Sequence, residues 1–249
     1  MANRIGLVSV SFRKNSPAEI VEAARSAKIE CIEWGGDIHA PHGDIKRAEY
    51  IKELCQKNGI AVSQYGSYYK IGQSHPSLWG DVVSSARALG TKVIRVWPGQ
   101  NIVVKDLSPE QCQAMVEDGR RICDEAPDFT VALECHGSSL TEHYEIALKF
   151  LGDVGRENMK MFWQPNQARS FEYDLDAIEA LLPYMVSVHT FYWDKDGTRY
   201  PLSYGGARWG EYIKRLSKKE LTYMLEFVRN DDISLLGAEA DTLRALLSR

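Results

Sequence analysis

Short apolar runs alternate with amphipathic segments along the whole chain. Eight runs carry the β-branched and aromatic content of strands: IGLVSVSF, ECIEW, IAVSQYGSYY, TKVIRVWPG, VALECHG, MKMFWQPN, MVSVHTF and TYMLEFV. The segments between them carry helix punctuation. In SPAEIVEAARSAK, Ser16 is the expected N-cap, Pro17 fills the first helical position and Glu19 completes a capping box. LSPEQCQAMVEDGRRICDEA repeats the device with Ser108, Pro109 and Gln111. DIKRAEYIKELCQKNG is expected to begin at Asp44 and stop at Gly59, and SLTEHYEIALKFLG to stop at Gly152, because glycine takes the left-handed cap conformation without a Cβ penalty.

Strict alternation of this kind predicts a parallel sheet with right-handed crossovers. Eight units in 249 residues predict an α/β fold closed into a (β/α)8 TIM barrel. An open doubly wound sheet is the competitor, but a dinucleotide-binding version would carry GxGxxG in its first turn, and the first loop here reads SFRKNSPAE. No linker, low-complexity tract or internal repeat interrupts the chain, so residues 1–249 are expected to form one domain.

Four polar residues break the apolar pattern near the C-terminal ends of the last four strand runs: Glu134, Gln164, His189 and Glu226, at roughly 30-residue intervals, the length of a βαβ unit. A carboxylate, amide or imidazole among Val, Leu, Met and Phe needs a partner. In a barrel these positions meet at one face, where active sites lie, so one shared site explains all four. Two glutamates, a histidine and an amide oxygen suit a divalent metal ion, with Mn²⁺ placed first and Mg²⁺, Co²⁺ or Zn²⁺ as alternatives. Cys135 is expected to point away from that site, because side chains alternate along a strand. Taken singly, each glutamate could instead pair with a barrel Lys or Arg. His189 could be a hydrogen-bonded core residue, and Gln164 could bond a metal-bound water or substrate rather than the ion.

Composition narrows the function. The formal charge of −4 and the absence of a Lys/Arg-rich run argue against a nucleic-acid partner, and KRLSKKE reads as a solvated helix face. No apolar stretch approaches the roughly 20 residues that span a bilayer, and MANRIGLVSVSF enters a strand pattern with no signal-peptide core. A cytoplasmic protein with no membrane contact is expected. Cys31, Cys55, Cys112, Cys123 and Cys135 are odd in number and form no CxxC, which suits reduced thiols.

The motifs IEWGGDIHAPHGD, LECHGSSLT, WQPN, SVHTF and MLEFV give the whole chain a family resemblance. It resembles the xylose isomerase-like barrel superfamily, in the sugar isomerase and epimerase branch that holds tagatose/psicose 3-epimerases and hydroxypyruvate isomerases, with endonuclease IV more distant. The resemblance implies metal ligation by Glu134, His189 and Glu226, with Gln164 standing where relatives commonly have a fourth ligand, an aspartate. It also implies proton transfer next to a carbonyl through an enediolate, with Glu134 and Glu226 facing each other across a sugar or polyol as the catalytic pair. A metal-dependent isomerase or epimerase is the leading expectation. A lyase or dehydratase of the same superfamily, inosose-dehydratase-like or glycoside-cleaving, is the alternative, and a non-catalytic sugar-binding barrel the third. Relatives are often homo-oligomers, although no interface can be picked from the pattern.

Around this core, His39 and His136 are expected hydrogen-bond partners for substrate hydroxyls, whereas Glu33, within a strand, is expected to be salt-bridged and structural. Arg199 and Arg208 lie in the long segment after the seventh strand, which suits a lid and could bind a carboxylate or phosphate. Trp34, Trp97, Trp163 and Trp193 fall at strand ends and offer faces for sugar C–H groups. Trp34 and Trp163, each beside a family motif, are the expected substrate contacts.

Overall fold

The expected barrel is present. The computed structural model describes residues 3–248; Met1 and Ala2, the start of the MANRIG run, and Arg249 lie outside them. Eight strands, β1 (Arg4–Val8), β2 (Cys31–Gly35), β3 (Ala61–Lys70), β4 (Val93–Trp97), β5 (Thr130–Glu134), β6 (Met159–Trp163), β7 (Met185–Thr190) and β10 (Thr222–Leu225), close into a parallel barrel in which β1 pairs with both β2 and β10. A two-residue hairpin, β8 (Tyr192–Trp193) with β9 (Arg199–Tyr200), forms after β7. Helices α1 (Pro17–Ser26), α2 (Ile45–Lys57), α3 (Leu78–Leu89), α4 (Pro109–Glu125), α5 (Tyr144–Val154), α6 (Phe171–Leu181), α7 (Gly206–Leu216) and α8 (Leu236–Leu247) surround it. No helix among the described residues is long and apolar enough to cross a membrane.

Capping chemistry starts the helices where the sequence places them. Both capping boxes form, Ser16 with Glu19 and Ser108 with Gln111, and the Asp44 side chain accepts from Arg47 N–H at the start of α2. Two boundaries differ. The first strand ends at Val8, and Ser9–Phe12 turn into a buried 3₁₀ segment. The hydroxyls make this turn useful: Ser9 Oγ accepts from Gly35 N–H at 2.9 Å and Ser11 Oγ from Phe227 N–H at 2.8 Å, tying β1 to the ends of its two neighbours. Helix α5 runs through Gly152 and is capped by Gly155, whose φ of 61° supplies the left-handed conformation expected three residues earlier.

Two apolar layers hold the molecule. The larger fills the space between strands and helices, with Leu7, Ile32, Trp34, Ile94, Val131 and Trp163 facing outward from the barrel. The smaller comprises Val8, Val10, Cys31 and Met224, packed inside the barrel. Gln64 on β3 donates across the same interior to Ser187 Oγ on β7 at 2.8 Å. At the C-terminal ends of the strands, the interior becomes ionic.

Candidate metal centre and active-site cavity

Four strands and the residue after a fifth contribute ionisable or aromatic side chains to the upper interior. Glu33 (β2), Arg95 and Trp97 (β4), Glu134 (β5) and His189 (β7) share the inward parity of their strands; Glu226 follows β10. They form a ring. Arg95 Nε donates to Glu33 Oε1 at 2.6 Å, and Arg95 Nη1 and Trp97 Nε1 both donate to Glu134 Oε2. Glu33 Oε2 lies 3.3 Å from His189 Nε2, which returns the ring to Glu134 through Nδ1. Gly66 makes the pairing possible. A Cβ there would lie 2.5 Å from Arg95 Nη2 and 2.7 Å from Glu33 Oε1, so glycine is required by close approach alone.

Three oxygens from three other elements converge on the second nitrogen of His189. Gln164 Oε1 lies 3.1 Å from Nδ1, Glu226 Oε2 3.3 Å and Glu134 Oε1 3.4 Å. Ligands around a cation with bonds of about 2.1 Å sit roughly 3.0–3.4 Å apart in octahedral or tetrahedral arrangements, so these spacings suit one ion. Glu134, His189 and Glu226 form a group that could hold a metal, with ligand atoms within 4.8 Å of one another. The surroundings fit it. Arg95 and Trp97 occupy only Oε2 of Glu134, leaving Oε1 to coordinate. Glu33 accepts at Nε2, the arrangement that leaves the Nδ1 lone pair for a metal.

Charge points the same way. Glu33, Glu134 and Glu226 are buried against the guanidinium of Arg95, an excess of negative charge that a bound cation would offset and that a protonated His189 offsets in part. Burial raises the Glu134 carboxyl, but Arg95 and His189 outweigh it and hold the group well below the usual carboxylate range. Burial disfavours a charged His189, yet Glu226, Glu134 and Glu33 raise its pKa well above the ordinary imidazole value. The cluster draws positive charge to Nδ1.

A cavity of about 370 Å³ opens over this floor, lined by Arg13, Tyr68, Arg95, Trp97, Glu134, His136, Gln164, Gln167, Trp193, Glu226 and Phe227 among others. Its aromatic wall differs from the expected one. Trp34 is fully buried, edge-on to His39 with centroids 5.7 Å apart, because Glu33 faces inward and its strand neighbour must face the helices. His39 is likewise buried, bonded to Ser9 Oγ at 3.0 Å and Asn15 O at 3.2 Å, and reaches neither the ring nor the cavity. Trp163 packs outward against Trp209 and Tyr212 of α7. Trp97 and Trp193 line the cavity over the ring, whereas Trp163 borders only the adjoining one.

His136 does reach the cavity, its ring 4.4 Å from that of Trp97 and its Nδ1 2.7 Å from Gly137 O, which leaves Nε2 with a lone pair. Arg199 does not line it. Its guanidinium lies over Trp193 and Phe227 and pairs with Asp231 at 2.6 Å, pinning the β8–β9 hairpin beside the mouth. Arg208 lies over Phe171 and lines a separate outer cavity. Cys135 faces away from the ring as expected, with burial pushing its thiol up to about 12.

The sequence reading underweighted Glu33 and passed over Arg95. Glu33 is salt-bridged as expected, but it also reaches His189. The signal was present for both: each interrupts an apolar run, CIEWG and VIRVW, as Glu134 interrupts VALE. Tyr65, Tyr68 and Tyr69 at the third strand offer an aromatic rim in the sequence, and of the three Tyr68 lines the cavity. A register shift between Gly66 and Tyr69, with Tyr68 at φ 55°, turns its ring over Arg95 at 5.0 Å.

The fold and site define a (β/α)8 barrel with an acidic, histidine-containing cluster at the C-terminal ends of its strands. The chain belongs to the family of xylose isomerase-like TIM barrels, whose model matches residues 21–246. Among solved structures it is similar to the probable 3-DHS dehydratase AsbF, involved in petrobactin synthesis, from Bacillus anthracis (TM-score 0.82, 22% identity, covering 98% of this chain and 99% of that one). It is also similar to a xylose isomerase-like TIM barrel protein from Mycobacterium smegmatis in complex with magnesium (0.74, 15%, 100% and 99%). D-Psicose 3-epimerase with D-tagatose, from Clostridium cellulolyticum H10, gives 0.71 at 15% identity over 98% and 99%. No curated protein matches by sequence.

Proposed function

We propose that the protein is a divalent-metal-dependent enzyme that moves a proton next to a carbonyl of a sugar-like substrate, using one principal base. Glu134, His189 and Glu226 would hold the ion, with the Gln164 amide oxygen beside them; when bound it would polarise a substrate carbonyl as a Lewis acid. The observation that carries the reading is the unequal treatment of the two glutamates. Two donors are fixed on Glu134 Oε2 and hold that carboxylate ionised, so it is a poor proton acceptor. Among the described residues, Glu226 has no arginine or tryptophan donor on its carboxylate. Glu226 is the proton-moving group in this reading and Glu134 the fixed anchor.

An epimerase that inverts a centre needs a proton acceptor on one face and a donor on the other. A clamped Glu134 disfavours that. Aldose–ketose isomerisation needs one face and is the reaction we favour, with Mn²⁺ as the first ion to test. Loss of water is the second reading, favoured by His136, whose Nε2, once it takes up a proton from solvent, gives the same cavity a second group able to pass that proton to a departing hydroxyl. Trp97, Trp193 and Tyr68 supply faces for C–H groups, and Gln164, Gln167 and Arg13 supply polar contacts for hydroxyls.

The experiment is incubation of Mn²⁺-loaded protein with aldoses, ketoses and keto-polyols in D₂O, followed by NMR and mass spectrometry. One-base isomerisation gives a product of unchanged skeleton with deuterium on a single face, and dehydration a product lighter by one water. Turnover is expected to fall by 10²–10⁴-fold in Glu226→Gln. A C-epimer as the main product, with equal losses in Glu134→Gln and Glu226→Gln, would refute the one-base reading.

A further inference from the structure

A second chamber of about 350 Å³ lies beside the catalytic cavity, and the two share His136, Gly137, Gln164, Gln167 and Trp193 as lining. Each volume by itself reaches the ~300 Å³ at which a cleft accommodates a whole small ligand. The floor of the side chamber includes Trp163 and Leu181, and its wall includes Tyr144 and Tyr173, whose ring centroids lie 5.0 Å apart. Three carboxylates line it, Glu142, Asp174 and Asp194, and of these Asp174 is the buried one. Asp174 is only 4% exposed, and among the described residues no cation lies within ion-pair distance of it. Its oxygens accept one bond each, from Asn166 N–H at 3.0 Å and from the Tyr212 hydroxyl at 2.8 Å. A carboxylate oxygen has two acceptor positions, so each keeps one. Burial raises this carboxyl; the bonds from Asn166 and Tyr212 and the charge of Arg208, beyond ion-pair distance, lower it without cancelling the rise.

Aromatic faces, side-chain amides at Asn166 and Gln167, and a carboxylate with spare acceptor positions recognise a hydroxylated ring: C–H faces stack on the rings and hydroxyls donate to Asp174. We propose that the side chamber is a subsite for a second sugar ring, so that the substrate is a disaccharide-type glycoside with its reacting ring over the metal centre and its other ring against Asp174. This rests on the sugar-directed reading of the catalytic cavity. An apolar aglycone would have no use for Asp174, and a free monosaccharide would leave the chamber empty.

The test is isothermal titration of the Mn²⁺-loaded full chain with cellobiose, lactose, trehalose and sucrose, with their component monosaccharides, and with 4-nitrophenyl β-D-glucoside. At least one disaccharide is expected to bind about tenfold or more tighter than either of its monosaccharides, the gain of a charge-assisted hydrogen bond. In Asp174→Asn the disaccharide-to-monosaccharide affinity ratio is expected to fall about tenfold. Ala168→Trp, an exposed position lining the same chamber, is expected to remove the gain by filling space even if the first variant folds poorly. Equal affinity for one and two rings overturns the subsite. So does a gain from the aryl glucoside alone that Asp174→Asn leaves intact. Metal-dependent exchange of a monosaccharide C–H with D₂O, without any second-ring gain, overturns this inference and leaves the proposed chemistry standing; a second-ring gain without such exchange does the reverse.

Discussion

The two ends of the barrel interior are built from the same strands and do opposite things. At the lower end, Gln64 and Ser187 make one neutral hydrogen bond, and the charged side chains beside them, Arg4 and Lys92, line the lower mouth with no carboxylate among its lining residues. At the upper end, strands β2 and β7 deliver Glu33 and His189 into a ring with Arg95 and Glu134. Buried ion pairs are weak contributors to stability, because desolvation offsets attraction. The lower interior therefore serves folding, whereas the upper interior holds charges at fixed positions for a ligand at some expense in stability. The backbone records the same division: Tyr68 and Phe227, both beside the cavity, have positive φ values of 55° and 50°.

That contrast can be broken most severely at Arg95. Replacing it with Met leaves Glu33 and Glu134 without their cation, and urea unfolding is expected to show a loss of about 3–5 kcal/mol. The paired change at the lower end, Gln64→Leu with Ser187→Ala, removes both partners of a neutral bond and is expected to be nearly neutral by the same measurement. A comparable loss from both would erase the distinction. Next comes Glu33→Gln, which weakens the carboxylate's hold on His189 Nε2. Mn²⁺ affinity measured by titration is expected to fall about 10–100-fold while the fold persists. Gly66→Ala pushes a methyl group into the Arg95–Glu33 contact, and a loss of about 1–3 kcal/mol is expected in chemical denaturation, with weaker Mn²⁺ binding alongside. The smallest effect belongs to the hairpin. Asp231→Asn removes a part-exposed ion pair to Arg199 and should cost no more than about 1 kcal/mol in thermal unfolding.

Much of this was readable in the chain. Eight strand patterns, two capping boxes and the polar residues at strand ends fix the barrel and bring Glu134, Gln164, His189 and Glu226 together, because side-chain period and strand-end position are local properties. The aromatic lining was readable in principle and misassigned. Trp97 stands two residues after the inward Arg95, whereas Trp34 stands one after the inward Glu33, so parity separates them once the inward residues are known. Other features depend on the closed barrel and carry no local mark. Arg13 meets Asp37 from the next loop, and meets Tyr68 where the register shift in β3 falls. Arg199 is held by Phe227 and Asp231 from the loop after the neighbouring strand β10, so a lid was expected but its latch was not.

The upper ring is either a metal centre or a closed set of ion pairs, and metal stoichiometry separates the two. Wild-type protein and His189→Ala would be stripped with chelator, reloaded with Mn²⁺, desalted and measured by elemental mass spectrometry. About one ion per chain in the wild type, lost in the variant, is expected. No retained ion in the wild type, or equal retention in both, would mean that the charges at the upper end of the barrel serve only one another.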